Sequence, residues 1–105
     1  MMKRIRFYGS LAAVVALLSG VSFAQSGEVY KSKCQMCHGA TGLADTGAGK
    51  SMKVKPVTDP DVKKMSEADM ITVTTAGKGK MPAFKDKLTE AQIKESVAFY
   101  RSLGK

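Results

Sequence analysis

The firmest alternation of apolar and polar positions lies at the C-terminal end, where Ile93, Val97 and Tyr100 recur at i, i+4 and i+7. Thr89-Glu90-Ala91-Gln92 ahead of them is a capping box, and Gly104 follows. The spacing predicts a terminal helix from about Glu90 to Leu103. A second start signal is Ser66-Glu67-Ala68-Asp69, in which a serine hydroxyl caps backbone N–H groups and acidic residues face the positive end of the helix dipole. Met70, Ile71, Val73 and Thr74 carry that element to Gly77. A weaker helical pattern, Val29, Tyr30, Lys33 and Cys37, runs into a turn-rich stretch with Gly39, Gly42, Gly47 and Gly49. Val54 to Pro60 holds two prolines and no period, so an extended segment passing close to another surface is expected. No alternation is long enough for a sheet, and repeats and low-complexity tracts are absent.

The N-terminal pattern is of another kind. Lys3, Arg4 and Arg6 precede an apolar stretch from Leu11 to Phe23, and Ser22-Phe23-Ala24 places small residues at a cleavage position. Residues 1–24 read as a secretory signal, with residues 25–105 as the mature domain. The 13 residues from Leu11 to Phe23 are interrupted by Ser19, Gly20 and Ser22, short of the roughly 20 needed to span a bilayer. An uncleaved anchor is the alternative. The 81 residues from position 25 on suffice for one domain but are marginal for a core of side chains alone. Their aromatic residues are Tyr30, Phe84, Phe99 and Tyr100, with no Trp. Something further has to fill the interior.

Cys34-Gln35-Met36-Cys37-His38 supplies it. This is CxxCH, the attachment sequence of c-type haem: two thiols for thioethers to the porphyrin vinyl groups and an adjacent imidazole for the iron. Other readings of the five residues fare worse. A dithiol redox motif opens a helix after a strand, and no strand precedes Cys34. Zinc needs four thiolate or imidazole ligands, and the chain has two cysteines and one histidine. A disulfide across two residues closes too small a loop to stabilise much. The porphyrin then serves as core as well as cofactor.

With one histidine on the iron, a second ligand decides between open chemistry and electron transfer. The chain has no second histidine, so the candidates after residue 24 are Met36, Met52, Met65, Met70 and Met81. Met36 lies inside the attachment loop and cannot cross the ring. Met70 sits mid-helix, where a flexible thioether packs by default. Met52 and Met65 flank the extended segment and could line a pocket. Met81 differs in setting, because Gly77-Lys78-Gly79-Lys80 frees the backbone before it and Pro82 restrains the chain after it.

Taken together, residues 25–105 resemble the class I c-type cytochromes, particularly the short bacterial and photosynthetic carriers. The resemblance rests on CxxCH near the mature start, on Gly77-Lys78-Gly79-Lys80-Met81-Pro82-Ala83-Phe84 and on a closing helix that includes Ser96 to Leu103. It implies an all-α fold with the first and last helices crossing, one covalent haem c held through Cys34 and Cys37, and axial ligation by His38 and Met81. Tyr30 matches the aromatic four residues before the first attachment cysteine, and Phe99, ahead of Tyr100, its partner on the last helix. Two departures stand out. The position of the crossing glycine is Ser26, with Gly27 next to it. The stretch Thr41 to Lys50 also lacks the proline whose carbonyl accepts a hydrogen bond from the ligand histidine in many members.

If protein fills both axial sites, iron changes oxidation state without exchanging a ligand, and outer-sphere electron transfer is the expected function, without catalysis. The expected setting is the periplasm or another extracytoplasmic space, and the expected form is a monomer without membrane insertion after signal cleavage. The chain carries a formal +8; residues 25–105 hold 14 basic and nine acidic side chains. Lys50, Lys53 and Lys55, with Lys78, Lys80, Lys85 and Lys87, could ring the haem edge and steer an acidic redox partner, or simply keep the surface solvated. Nucleic-acid binding is disfavoured by the export signal and the lack of any recognised motif. A haem enzyme or gas sensor with a displaceable sixth ligand, and a cytochrome subunit fixed in a larger complex, are the alternatives.

Overall fold

A computed structural model describes residues 27–105, which form helices joined by short turns. The signal reading of residues 1–24 lies outside the described residues. Helix α1 begins as a π-helical turn, Tyr30–Cys34, and continues as α-helix over Gln35–His38. In the π turn the Gln35 N–H donates to the Tyr30 carbonyl, one residue further back than in an α-helix, a widening frequent at functional sites. Here it ends on the first cysteine.

Two short helices follow that periodicity could not reveal. Helix α2, Gly47–Ser51, occupies part of the stretch read as loop, and the Thr46 side chain caps it by accepting from the Gly49 N–H. Helix α3, Pro60–Lys63, is capped by Asp59. Pro60, read as the end of the extended segment, instead begins a helix, where its fixed φ and missing N–H cost nothing. Four or five residues are too few to show a period.

The two long elements lie where their caps place them. Helix α4 spans Glu67–Ala76 with Ser66 as cap, and Gly77 ends it at φ +83. Helix α5 spans Glu90–Leu103 with the complete capping box: Thr89 Oγ1 accepts from the Gln92 N–H at 3.1 Å, and Gln92 Oε1 from the Thr89 N–H at 2.9 Å. Among the described residues there is no strand, only an isolated bridge between Lys78 and Met81.

Helices α4 and α5 bury Met70, Phe84, Leu88, Ile93 and Val97 between them and the loop that joins them. At the other end of α5, Phe99 meets α1: the Tyr30 and Phe99 rings lie 5.2 Å apart, centroid to centroid. A Cβ on Gly27, whose φ is +69, would fall 2.6 Å from the Phe99 ring. The close approach expected one position earlier, at Ser26, is therefore made at Gly27. The extended segment does pass close to a surface, since Val57 is buried against Gly42 and Gly104. No described helix is long and apolar enough to cross a membrane.

Candidate functional site

One apolar cavity of about 450 Å³ lies between these elements, bordered by Cys34 and His38 from α1, Val73 from α4, Met81 from the loop beyond α4, and Val97 and Tyr100 from α5. The structure thus brings together three of the four residues named for the cofactor. The fourth, Cys37, does not border the cavity; it is half-buried one turn beyond Cys34, and neither cysteine is in a disulfide. Met36 is 73% exposed, in line with the expectation that it does not reach the ring.

The turn carrying His38 is held from outside, carbonyl by carbonyl. Thr46 Oγ1 donates to the Met36 carbonyl at 2.6 Å, the Ala44 N–H to the His38 carbonyl at 2.8 Å, and the Tyr30 hydroxyl to the Gly39 carbonyl at 2.5 Å. Helix ends leave such carbonyls without partners of their own, so these donors stabilise the place where the helix stops. Gly49 closes in on the same turn: a Cβ there would lie 2.4 Å from the Cys37 carbonyl oxygen and 2.7 Å from that of Ala44.

His38 is half-buried, and burial holds its imidazole below the usual histidine range. That direction favours the neutral ring, which has a lone pair to give. Its Nδ1 is buried and has no hydrogen-bond partner, and the ring packs edge-on against Tyr100, 5.0 Å between centroids. Burial, helped by the neighbouring Cys37, pushes the Cys34 thiol up to about 11, and burial pushes Tyr100 up to about 12.

Met81 is presented by a tight turn in which Lys78 and Met81 exchange backbone bonds of 3.1 and 3.0 Å. Gly77 is obligatory there, since at φ +83 a Cβ would also stand 2.9 Å from the Ala83 nitrogen. Beyond Pro82 the Phe84 and Lys85 N–H groups bond the Thr74 and Thr75 carbonyls, which ties the loop to the end of α4. Met52 and Met65, which the sequence allowed to line a pocket, border the cavity, and Met70 borders it as well. Met70 combines the packing role expected of it with a place on the wall. Arg101 donates to the Met65 carbonyl at 2.9 Å, with Met70 Sδ 3.9 Å away. Of the seven lysines suggested for the haem edge, Lys53, Lys55, Lys78 and Lys80 border the cavity and Lys50, Lys85 and Lys87 do not.

Sequence reading missed Thr46 and the hydroxyl of Tyr30, which was noted only as an aromatic. The one available signal was a threonine immediately before a glycine-rich stretch, the place of a helix cap.

These residues fit a haem. The cavity is lined mainly by apolar side chains, its size falls in the range of cofactor sites, and it is bordered by a half-buried imidazole, thioethers and an attachment thiol. Residues 22–99 match the family model described as cytochrome C oxidase, cbb3-type, subunit III. The chain is also 42% identical over 77 residues to a cytochrome c6 of Leptolyngbya boryana, a match covering 73% of this chain and 86% of that protein. The all-α fold, the CxxCH turn at the cavity and these two likenesses agree: the chain belongs to the cytochrome c family, as a small monohaem class I c-type cytochrome with covalently bound haem c that carries electrons.

Proposed function

We propose that the protein is an exported, diffusible carrier of single electrons whose haem is joined to Cys34 and Cys37 and ligated by His38 and Met81, and that it catalyses no reaction of its own. The observation that carries this reading is that His38 and the loop-borne Met81 border the same apolar cavity as Cys34. When bound, the haem supplies an Fe(III)/Fe(II) couple, and a Met/His ligand pair raises its potential.

The chain's own residues do the rest. Cys34 and Cys37 fix the group in place. His38, kept neutral by burial, offers a nitrogen lone pair, and the Gly77–Phe84 loop, tied to α4, holds the Met81 sulfur. Val73, Val97 and Tyr100 exclude water, so little solvent has to reorganise as charge changes. Lys53, Lys55, Lys78 and Lys80 at the cavity favour an acidic redox partner and predict encounter rates that fall with added salt. Lys55 is partly neutralised by its 3.0 Å pair with Asp61, which leaves the other three as the stronger attractors. Residues 1–24 would direct export to the periplasm or an equivalent compartment, and residues 25–105 would form a monomer.

The test is the ferric absorption spectrum of the mature protein and of Met81→Ala. The weak red band of sulfur ligation should be present in the first and absent in the second. Its survival in Met81→Ala would transfer the role to Met52, Met65 or Met70, and ready binding of carbon monoxide by the reduced wild type would favour an open-site enzyme or sensor.

A further inference from the structure

A ligand histidine is ordinarily oriented through its second ring nitrogen, which donates to a carbonyl or carboxylate and so fixes both tautomer and ring plane. In this chain His38 Nδ1 is buried without a partner, and residues 41–50 contain no proline to bring the usual carbonyl. The ring must be aimed by something else. The main chain on its C-terminal side is gripped from two directions. The Ala44 N–H holds the His38 carbonyl at 2.8 Å, and the Tyr30 hydroxyl, two helical turns back on α1, holds the Gly39 carbonyl at 2.5 Å. Tyr30 is 1% exposed, and its ring is fixed in turn by Phe99 at 5.2 Å and Tyr100 at 6.2 Å. Tyr100 also packs on the His38 ring. Two tyrosines thus meet the histidine turn, one at its backbone and one at its ring, and they stack on each other.

We infer that Tyr30 is a positioning residue for the axial histidine: its hydroxyl, acting through the Gly39 carbonyl, sets the plane of the His38 imidazole in place of a hydrogen bond to Nδ1. The inference rests on His38 being the ligand, as proposed above. Gly39 stands at φ +84 and ψ +159, a conformation with the freedom of glycine, so without the hydroxyl bond little local geometry would hold this peptide in one orientation. The donor is also matched to a dry site, because burial, with smaller contributions from Cys34, Tyr100 and Asp45, keeps the Tyr30 hydroxyl protonated well above its ordinary range.

Tyr30→Phe removes the hydroxyl and keeps the ring. Ile93→Val, in the core but away from the cavity, serves as a control that lowers stability without touching the turn. In the mature ferric proteins, the haem methyl proton shifts, which report the planes of the axial ligands, and the reduction potential are measured beside the red band. The expected result is that Tyr30→Phe retains the red band but changes the spread of methyl shifts and moves the potential, while Ile93→Val matches wild type in all three. A Tyr30→Phe protein that melts earlier with unchanged shifts and potential would reduce Tyr30 to a packing residue and overturn the inference. A second measurement needs no variant: in the reduced, ¹⁵N-histidine-labelled wild type, the Nδ1–H should exchange and resonate as a proton without a strong acceptor. A scalar coupling from it to a carbonyl would overturn the inference too. Absence of the wild-type red band would instead count against the Met81 assignment and leave these readouts of His38 interpretable.

Discussion

Gly47 and Gly49 lie two residues apart in α2, and the structure predicts that alanine at the two positions has opposite effects. Neither has a positive φ, so alanine suits the backbone of both. Replacing glycine by alanine at a compatible position stabilises by about 0.4–1 kcal/mol through the unfolded chain. At Gly47 nothing lies within 4 Å of the added Cβ, and the full gain should appear. At Gly49 the Cβ would stand 2.4 Å from the Cys37 oxygen and 2.7 Å from the Ala44 oxygen. Both neighbours are backbone and cannot rotate away. Overpacking of this kind costs typically 1–3 kcal/mol, which exceeds the gain and leaves a net loss of about 1–2 kcal/mol. For a domain of this size a change of 1 kcal/mol moves the melting temperature by roughly 4–8 °C. Thermal unfolding of the haem-loaded proteins, followed at 222 nm, should show Gly47→Ala melting a few degrees above wild type and Gly49→Ala about 5–15 °C below it. Two variants that both melt above wild type would refute the close packing of α2 on the attachment turn.

Three further outcomes are expected. Lys53 is exposed at φ +57, where a side chain costs about 1–2 kcal/mol; Lys53→Gly should raise the melting temperature, and a fall would show that the Lys53 side chain has a structural role. The hydroxyl of Tyr30 titrates higher when folded than its ordinary value of 10.0, so the native state holds that proton more tightly and stability falls as pH rises above 10, by about 1.4 kcal/mol per pH unit from this group. In the loaded protein Cys34 is an uncharged thioether, and burial, with smaller contributions from Tyr100 and Asp45, sustains the shift; urea unfolding from pH 9 to 11 should show a flatter alkaline decline in Tyr30→Phe than in wild type. Lastly, an apolar cavity of about 450 Å³ is large for a domain whose own side chains make only a marginal core. Cys34→Ser/Cys37→Ser, made without haem, should therefore lose most of its 222 nm ellipticity, and a native-like spectrum would contradict the cofactor's role as core.

The reach of sequence reading differed between elements for physical reasons. Helices α4 and α5 announce themselves because caps are local chemistry: Ser66, and Thr89 with Gln92, satisfy N–H groups no more than three residues away. The CxxCH turn and the Gly77–Phe84 loop are equally local. Helices α2 and α3 are also capped locally, by Thr46 and Asp59, but four or five residues carry no periodic face to separate a capped helix from a turn. The donors to the Met36 and Gly39 carbonyls come from ten and nine residues away, and no propensity connects Thr46 or Tyr30 to those acceptors. Gly49 read as a turn residue from composition, yet its smallness serves an approach by Cys37 and Ala44 visible only once the chain is folded. Likewise Met52, Met65 and Met70 are equivalent to Met81 as thioethers, and only the turn around Met81 sets it apart.

The segment from Ala44 to Gly49 clasps the histidine turn by its backbone and leaves its sulfurs reachable. Thr46 and Ala44 engage the carbonyls on either side of Cys37, while Cys34 and Cys37 stay half-buried. The clasp therefore stiffens the main chain between the two anchor points without sealing them, so that rigidity at the turn is compatible with chemistry at its thiols.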